Sequence, residues 1–391
     1  MKIVYVAPYS PWGPDFGGRM RVRMIWQILS ERHDTELIVV GDTPDVAAEL
    51  SVRAAEFFPA VVETPLQRAR RIARAWITGR SIPAARYLWP KRQRQITAKV
   101  RAARPDIVVL GDTYLAELCA PIRQRVPGVR IIADTMNVES ELHAGVAAAA
   151  TSTMTRMAYR ALASNTEALE RRALRLADQV WAASEQNARS YRQRFGLRDV
   201  AVVPNAVTER EAAGDGDPDL VLFIGTFAYA PNDQAAHCLL HASQELARGG
   251  VAHRLWLVGR NPHQALTRAA SAMAHVEVFA DVPEVQSYLK RCAVFAAPFV
   301  SGSGTKLKIA EALMAGKAVV TSWQGAEGLS MTPGLHYVLA EAEHFAPALA
   351  TLLSDAGLRR RIASAGREWA LEHVTYARTA RDIEAAISRA R

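Results

Sequence analysis

Short apolar runs alternate with helical-period stretches along most of the chain. Residues 3–7 (IVYVA), 37–40, 107–110, 130–133, 180–183 and 200–203 are runs of four or five mostly apolar residues. That is the pattern of strands buried on both faces, as in a parallel sheet. Helices are predicted between them, over about 19–30, 66–77, most of 140–177 and onward from 184. The run 209–219 (EREAAGDGDPD) is polar and carries Gly and Pro, as a linker does. The pattern then restarts, with strands at 220–224, 254–258, 276–279, 293–297 and 318–321 and helices from there to the end. No internal sequence repeat is visible, but two α/β halves are implied.

The second half is organised around 293–320. A buried strand at 293–297 leads through a loop in which Gly302 and Gly304 flank Ser303. A helix follows over 305–315, with Leu307, Ile309, Ala310 and Leu313 on its apolar face, and Gly316 stops it. The first backbone N–H groups of that helix lack intrahelical partners, and the helix dipole adds partial positive charge there. Small residues admit a bulky anion, and Lys306 and Lys308 add full charges. Such a place suits a phosphate or diphosphate. Glu311 is near enough to accept hydrogen bonds from a ribose beside it. A sheet-packing turn with a solvated Lys pair fits the same spacing, and spacing alone leaves both readings open.

In the first half, Gly17 and Gly18 stand between the first strand and its helix, where backbone can approach a ligand. There is no G-x-G-x-x-G, so the NAD fingerprint is absent. The strands at 107–110 and 130–133 end in Gly111-Asp112 and in Asp134-Thr135-Met136-Asn137-Val138-Glu139. Ligands of open α/β sheets sit outside the carboxyl ends of strands, which makes these segments site candidates.

Together these stretches resemble GT-B-fold glycosyltransferases, especially the family 4 retaining enzymes of group 1 type. The resemblance implies an α/β GT-B fold: two Rossmann-like domains with parallel sheets facing a central cleft. The acceptor-side domain would span 1–207 and the nucleotide-sugar domain 208–375. A C-terminal helix at 376–391 would cross back to the first domain. Pro204-Asn205-Ala206-Val207 resembles the family's exit from the first domain. In the family a Glu, seven residues and a second Glu frame the donor loop and helix. The second corresponds to Glu311, implied to hold the ribose hydroxyls; the first falls on Ser303, a departure.

The resemblance assigns Ser303, Gly304, Thr305, Lys306, Leu307 and Glu311 to the donor, with Lys306 also acting on leaving-group charge. It places Gly17 and Gly18 at the active site, where Arg19, Arg21 or Arg23 would meet anionic groups. Gly225 would admit the donor, but Thr226 stands where many members carry an Arg, and Arg260 is the candidate for that charge. Backbone around Val282 would read the nucleobase edge. The segment 134–139 resembles one in which His-Asn-Val-Glu follows the strand, with Met136 in the place of that His. Either the reacting sugar then falls to Asp112, Asn137 or Glu139, or the acceptor chemistry differs, or the chain is not a transferase; His143, farther on, is not given the role.

Composition narrows the partners. The 391 residues carry a formal net charge of +9. Twelve Lys or Arg and no Asp or Glu lie within 66–104. The run 66–77 (LQRARRIARAWI) has helical period, with Ala69, Ile72, Ala73, Trp76 and Ile77 on one face and arginines at its flanks. Such a helix either lies on an anionic membrane or packs on a core with snorkelling arginines. No nucleic-acid motif accompanies the charge, so nucleic acid is not expected. No apolar stretch reaches the length of a membrane span. Three scattered cysteines, Cys119, Cys238 and Cys292, lack metal-ligand spacing and fit a reducing cytoplasm, at the inner face of the membrane where 66–104 meets it.

The leading expectation is a hexosyltransferase-type enzyme. It would move a sugar from a nucleoside-diphosphate donor to an acceptor hydroxyl, with retention, in cell-surface glycan, glycolipid or natural-product synthesis. No metal or other cofactor is expected, no Asp-x-Asp being read as a divalent-ion site. A lipid-linked or otherwise anionic acceptor is the expected class. The alternatives are a nucleotide-sugar epimerase or hydrolase, using Asp112, Glu139 and Asp134 as acid/base groups, and a non-catalytic sugar-nucleotide binder.

Overall fold

The computed structural model describes residues 1–12, 17–41, 55–59, 63–150, 152–301 and 306–389. The chain divides into two compact units, Met1–Asn205 with Thr379–Arg391, and Ala206–Arg378. The apolar runs form the strands of two sheets in which every strand pairing is parallel.

The first unit holds β1 (Lys2–Ala7), β2 (Asp34–Val40), β3 (Ala55–Phe58), β4 (Ile107–Leu110), β5 (Arg130–Thr135), β6 (Gln179–Ala182) and β7 (Val200–Val202). Their order across the sheet is β3-β2-β1-β4-β5-β6-β7, so the chain reverses its direction of travel between β1 and β4. Every residue of β4 and β6 is buried, as strands covered by helices on both faces must be. Arg21, on the helix Gly17–Arg32, points into this unit. Its guanidinium meets Asp134 at the end of β5 at 2.5 Å, and donates to the Val203 carbonyl and to Asn205. Both charged side chains are almost wholly buried. Arg21 and Asp134 thus neutralise each other, and neither is free for an anion or for acid/base work as the sequence had suggested.

The helix Tyr376–Arg389 belongs to the first unit from Thr379 on. Arg130 donates to the carbonyls of Ala386 and Ile387, and His33 lies 3.0 Å from Glu384.

The second unit holds β8 (Asp217–Thr226), β9 (Arg254–Arg260), β10 (Val276–Ala280), β11 (Cys292–Ala297), β12 (Ala318–Thr321) and β13 (Val338–Leu339), in the order β10-β9-β8-β11-β12-β13. Here the reversal lies between β8 and β11. A parallel strand reached by a right-handed crossover puts its helix on one face, and reversing direction sends the next helix to the other face. The two helices part at the carboxyl ends of the central strands and leave a crevice there.

Burying one member of an ion pair without the other is costly. Asp134→Ala is expected to lower stability by about 3–5 kcal/mol, and Arg21→Met with Asp134→Leu to recover much of it. Urea unfolding of the three proteins checks this; equal losses in the single and double variants would refute the pairing.

Candidate active site

In the second unit the reversal points to the ends of β8 and β11, and the sequence candidates gather there. Gly225, buried, and Thr226, exposed, end β8. A Cβ on Gly259, the β9 partner of Gly225, would strike the Gly225 carbonyl, so the two strand ends approach as only glycine allows. The helix after β11 is Leu307–Met314, two residues shorter at its start than the sequence pattern suggested. Ser303, Gly304 and Thr305 lie outside the described residues.

Lys308 ties these elements together. Its ammonium donates to Asn232 Oδ1 at 2.7 Å, and the Asn232 amide donates to the Thr226 carbonyl at 2.9 Å. Asn232 is therefore a buried bridge inside the helix Ala230–Arg248. The Lys308 ammonium also lies 5.0 Å from the Phe223 ring and 5.3 Å from the Phe299 ring, on β8 and just after β11. The ring faces offset part of the cost of taking that charge out of water. Burial pushes Lys308 down to about 7, against the pull of Glu311. Lys306 sits 5.8 Å from the Phe299 ring, and burial pushes it down to about 8. Leu307 and Glu311 are partly buried on the same short helix. Arg260 is exposed at the end of β9, and Val282 is packed on the core beyond β10.

In the first unit the reversal points to the ends of β1 and β4. Gly17 is exposed and Gly18 half-buried at the start of their helix. Of the neighbouring arginines, Arg21 is taken by Asp134, and Arg23 donates to the Pro11 carbonyl. Asp112 follows β4 and caps a short 3-10 helix by accepting from the Tyr114 N–H at 2.7 Å. Burial, reinforced by the Glu139 charge, pushes Asp112 up to about 8. Glu139 opens the helix Glu139–Ala149, and its carboxylate accepts from Tyr114 Oη at 3.0 Å and from Asn137 at 3.3 Å. Burial raises Glu139 as well. Tyr114 Oη also lies 3.1 Å from His143 Nε2. Met136 contributes its carbonyl, which accepts from Asn187.

The comparisons with known proteins bear on this pair of sites. The sequence pattern of the glycosyl transferase 4-like domain matches residues 16–206, and that of the glycosyl transferases group 1 matches residues 218–355. The chain belongs to the group 1 glycosyltransferases.

Solved structures show the same GT-B fold. The Anabaena HepE protein in complex with UDP is 14% identical over 100% of both chains, with a TM-score of 0.71. Sucrose-phosphate synthase from Thermosynechococcus elongatus is 14% identical over 99% of this chain and 98% of its own, at 0.71. The lipopolysaccharide outer core galactosyltransferase WaaB is 16% identical over 100% and 99%, at 0.67. No curated protein sequence matches. Family membership carries glycosyl transfer over the epimerase, hydrolase and non-catalytic alternatives.

Two contacts of this transferase escaped sequence reasoning. The Lys308–Asn232 bridge joins residues 76 apart and leaves no local signal. His143 did leave one: it is four residues from Glu139 on one helix, and such pairs share a face.

Asp215, Asp217 and Asp219 do stand at Asp-x-Asp spacing, but at the start of β8, the opposite end from the crevice. Asp217 and Asp219 bind Arg254, and Asp217 also Arg291. Among the described residues, Asp233, His237 and His263 bring three donor atoms close together. His263 Nδ1, however, accepts from the Leu266 N–H as a helix cap, which leaves its proton on Nε2, facing Asp233 at 2.5 Å. That nitrogen has no lone pair to offer a metal.

A lysine lowered by burial binds fewer protons folded than unfolded, so its cost falls as pH rises. For Lys308 the window runs from its folded value of about 7 to the ordinary value of 10.5. Lys308→Met is expected to flatten the rise of melting temperature between pH 7 and pH 10. Parallel pH slopes for the variant and the parent would refute this.

Proposed function

We propose that this transferase moves a sugar from a UDP-type donor to an acceptor hydroxyl with retention of configuration, without a metal. The observation that carries the donor side is the pair Lys306 and Lys308, partly buried with Glu311 at the start of the 307–314 helix, where the sheet reverses. The anionic diphosphate sits against the first N–H groups of that helix and against Lys306. Arg260 and the backbone at Gly225 and Thr226 complete the phosphate side. Glu311 accepts from the ribose hydroxyls, and the backbone near Val282 meets the base. The UDP held by HepE, the same fold, favours uracil.

The chemistry is dissociation of the sugar–phosphate bond while the sugar becomes cation-like. Lys306 and the helix N-terminus stabilise the departing diphosphate. The acceptor oxygen attacks the face that the diphosphate is leaving, and a diphosphate oxygen takes the acceptor proton. No side chain in the place of Met136 then has to serve as base. In the first unit Asn137, Glu139 and Asp112 bind sugar or acceptor hydroxyls. Burial, which raises both carboxyls, disfavours their charged forms and suits them to hydrogen bonding with neutral hydroxyls. The acceptor is lipid-linked or otherwise anionic, and residues 66–104 meet the inner face of the membrane.

Thermal stabilisation by UDP, GDP, dTDP, CDP and ADP tests the donor site. One nucleoside diphosphate is expected to raise the melting temperature, and none doing so would refute it. Glu311→Ala is expected to weaken that ligand about tenfold, as a lost charged hydrogen bond should; unchanged affinity would remove Glu311 from the site. Because the anion restores the lysine charges, binding at pH 8 should take up protons, seen as a buffer-dependent calorimetric heat. Turnover should survive EDTA, and NMR of the product should show the donor's anomeric configuration; an inverted product or an EDTA-silenced enzyme would refute the mechanism.

A further inference from the structure

The helix Pro65–Ile77 carries its apolar stripe on the wrong side for a core helix. A capping box formed by Thr64 and Gln67, with Pro65 in the first turn, fixes its start. Its inner face is Ala75, with Ile72 half-buried beside it. Arg71 also turns inward, pairing with Glu63 at 2.8 Å and donating to the Ile82 carbonyl. At 100° per residue Leu66, Ala69, Ala73, Trp76 and Ile77 fall on the opposite side. All five are exposed, Leu66 by 60%, Trp76 by 52% and Ile77 by 86%. The two sequence readings of this helix are therefore separated: the stripe does not pack on a core among the described residues.

The border of the stripe is basic. Arg70 and Arg74 run along it, exposed and without an ion-pair partner among the described residues. Both line a pocket of roughly 510 Å³ with Arg71, Arg80 and Trp89. Arg80 is tied to Glu117 and to the Leu88 carbonyl, and Glu63, which also lines the pocket, is taken by Arg71, so among the described residues Arg70 and Arg74 are the cations there without an ion-pair partner. No helix among the described residues is long and apolar enough to cross a membrane.

We propose that this helix lies in the plane of an anionic bilayer, with Leu66, Trp76 and Ile77 among the acyl chains and a lipid phosphate between Arg70 and Arg74 at the border of the stripe. The charge complementarity of 66–104 commits the surface to anionic lipid rather than to a protein, and the outward stripe supplies what charge alone does not. This rests on the reading of 66–104 as the membrane-contacting region and gives it an orientation and a headgroup site.

The test is flotation of the full-length protein with vesicles of phosphatidylcholine alone or with 30% phosphatidylglycerol, an amount set at about the anionic share that draws basic segments to a surface. Binding is expected only with the anionic vesicles. Trp76→Ser with Ile77→Ser should weaken it about tenfold or more, by removing inserted apolar area. Arg70→Gln and Arg74→Gln should each weaken it about fivefold and flatten its salt dependence. Brominated acyl chains should quench fluorescence in the parent and not the same component in Trp76→Phe. These residues are exposed, and circular dichroism of each variant verifies the fold. No binding to anionic vesicles overturns both the proposal and the membrane reading. Binding that survives the serine substitutions with no Trp76 quenching overturns the proposal alone, leaving a purely electrostatic contact. A dimer in sedimentation velocity that the serine substitutions abolish would also overturn it, giving the stripe to a second copy.

Discussion

The reversal of strand order is the constraint on which the rest depends. With every crossover right-handed, helices must leave the two central strands on opposite faces, and no helix then covers their carboxyl ends. The crevice follows from topology before any side chain is chosen. In the second unit the sequence fits it with the close approach of Gly225 and Gly259 and with the short helix after β11. In the first unit the same reversal brings the ends of β1 and β4 together, where Gly111 is held against Tyr5 with no room for a Cβ.

Charge in both units is held where water is scarce, by different devices. Arg21 and Asp134 neutralise each other and pin the end of β5 to the strand exit at Val203 and Asn205. Lys308 is not neutralised. An amide oxygen and two aromatic faces hold it, and its proton is weakly bound as a result. In the proposed function an anion arriving there would restore full charge to the lysine, which would link ligand and proton. The carboxyls Asp112 and Glu139 show the complementary effect: burial raises both, and Tyr114 donates its N–H to Asp112 and its hydroxyl, 3.1 Å from His143, to Glu139.

The 65–77 helix shows that amphipathicity is a magnitude without a direction. Nearly all helices with such a stripe turn it inward because water drives it there. Here the inward side holds Ala75 and the Arg71–Glu63 pair instead. An apolar face kept against water is a cost to the folded chain unless something else takes it up.

The apolar runs determined all of both sheets except the edge strands β3 and β13, since a strand buried on two faces needs four or five apolar residues in a row, and a short or half-exposed edge strand does not. The Gly-Ser-Gly loop, the two lysines and Glu311 marked the helix proposed for the donor, because a helix start and its charges are written in adjacent residues. The resemblance to group 1 glycosyltransferases rested on those same local signals. What only the tertiary structure decided involves partners far apart in the chain. Arg21 looked available for an anion until Asp134, 113 residues on, was seen to bind it. Asn232 shows no local sign of its role, which needs Lys308, 76 residues on, to share it with Thr226. Periodicity gave the stripe of 65–77 but not its direction, because the side on which a helix meets its unit is set by the elements packed against it.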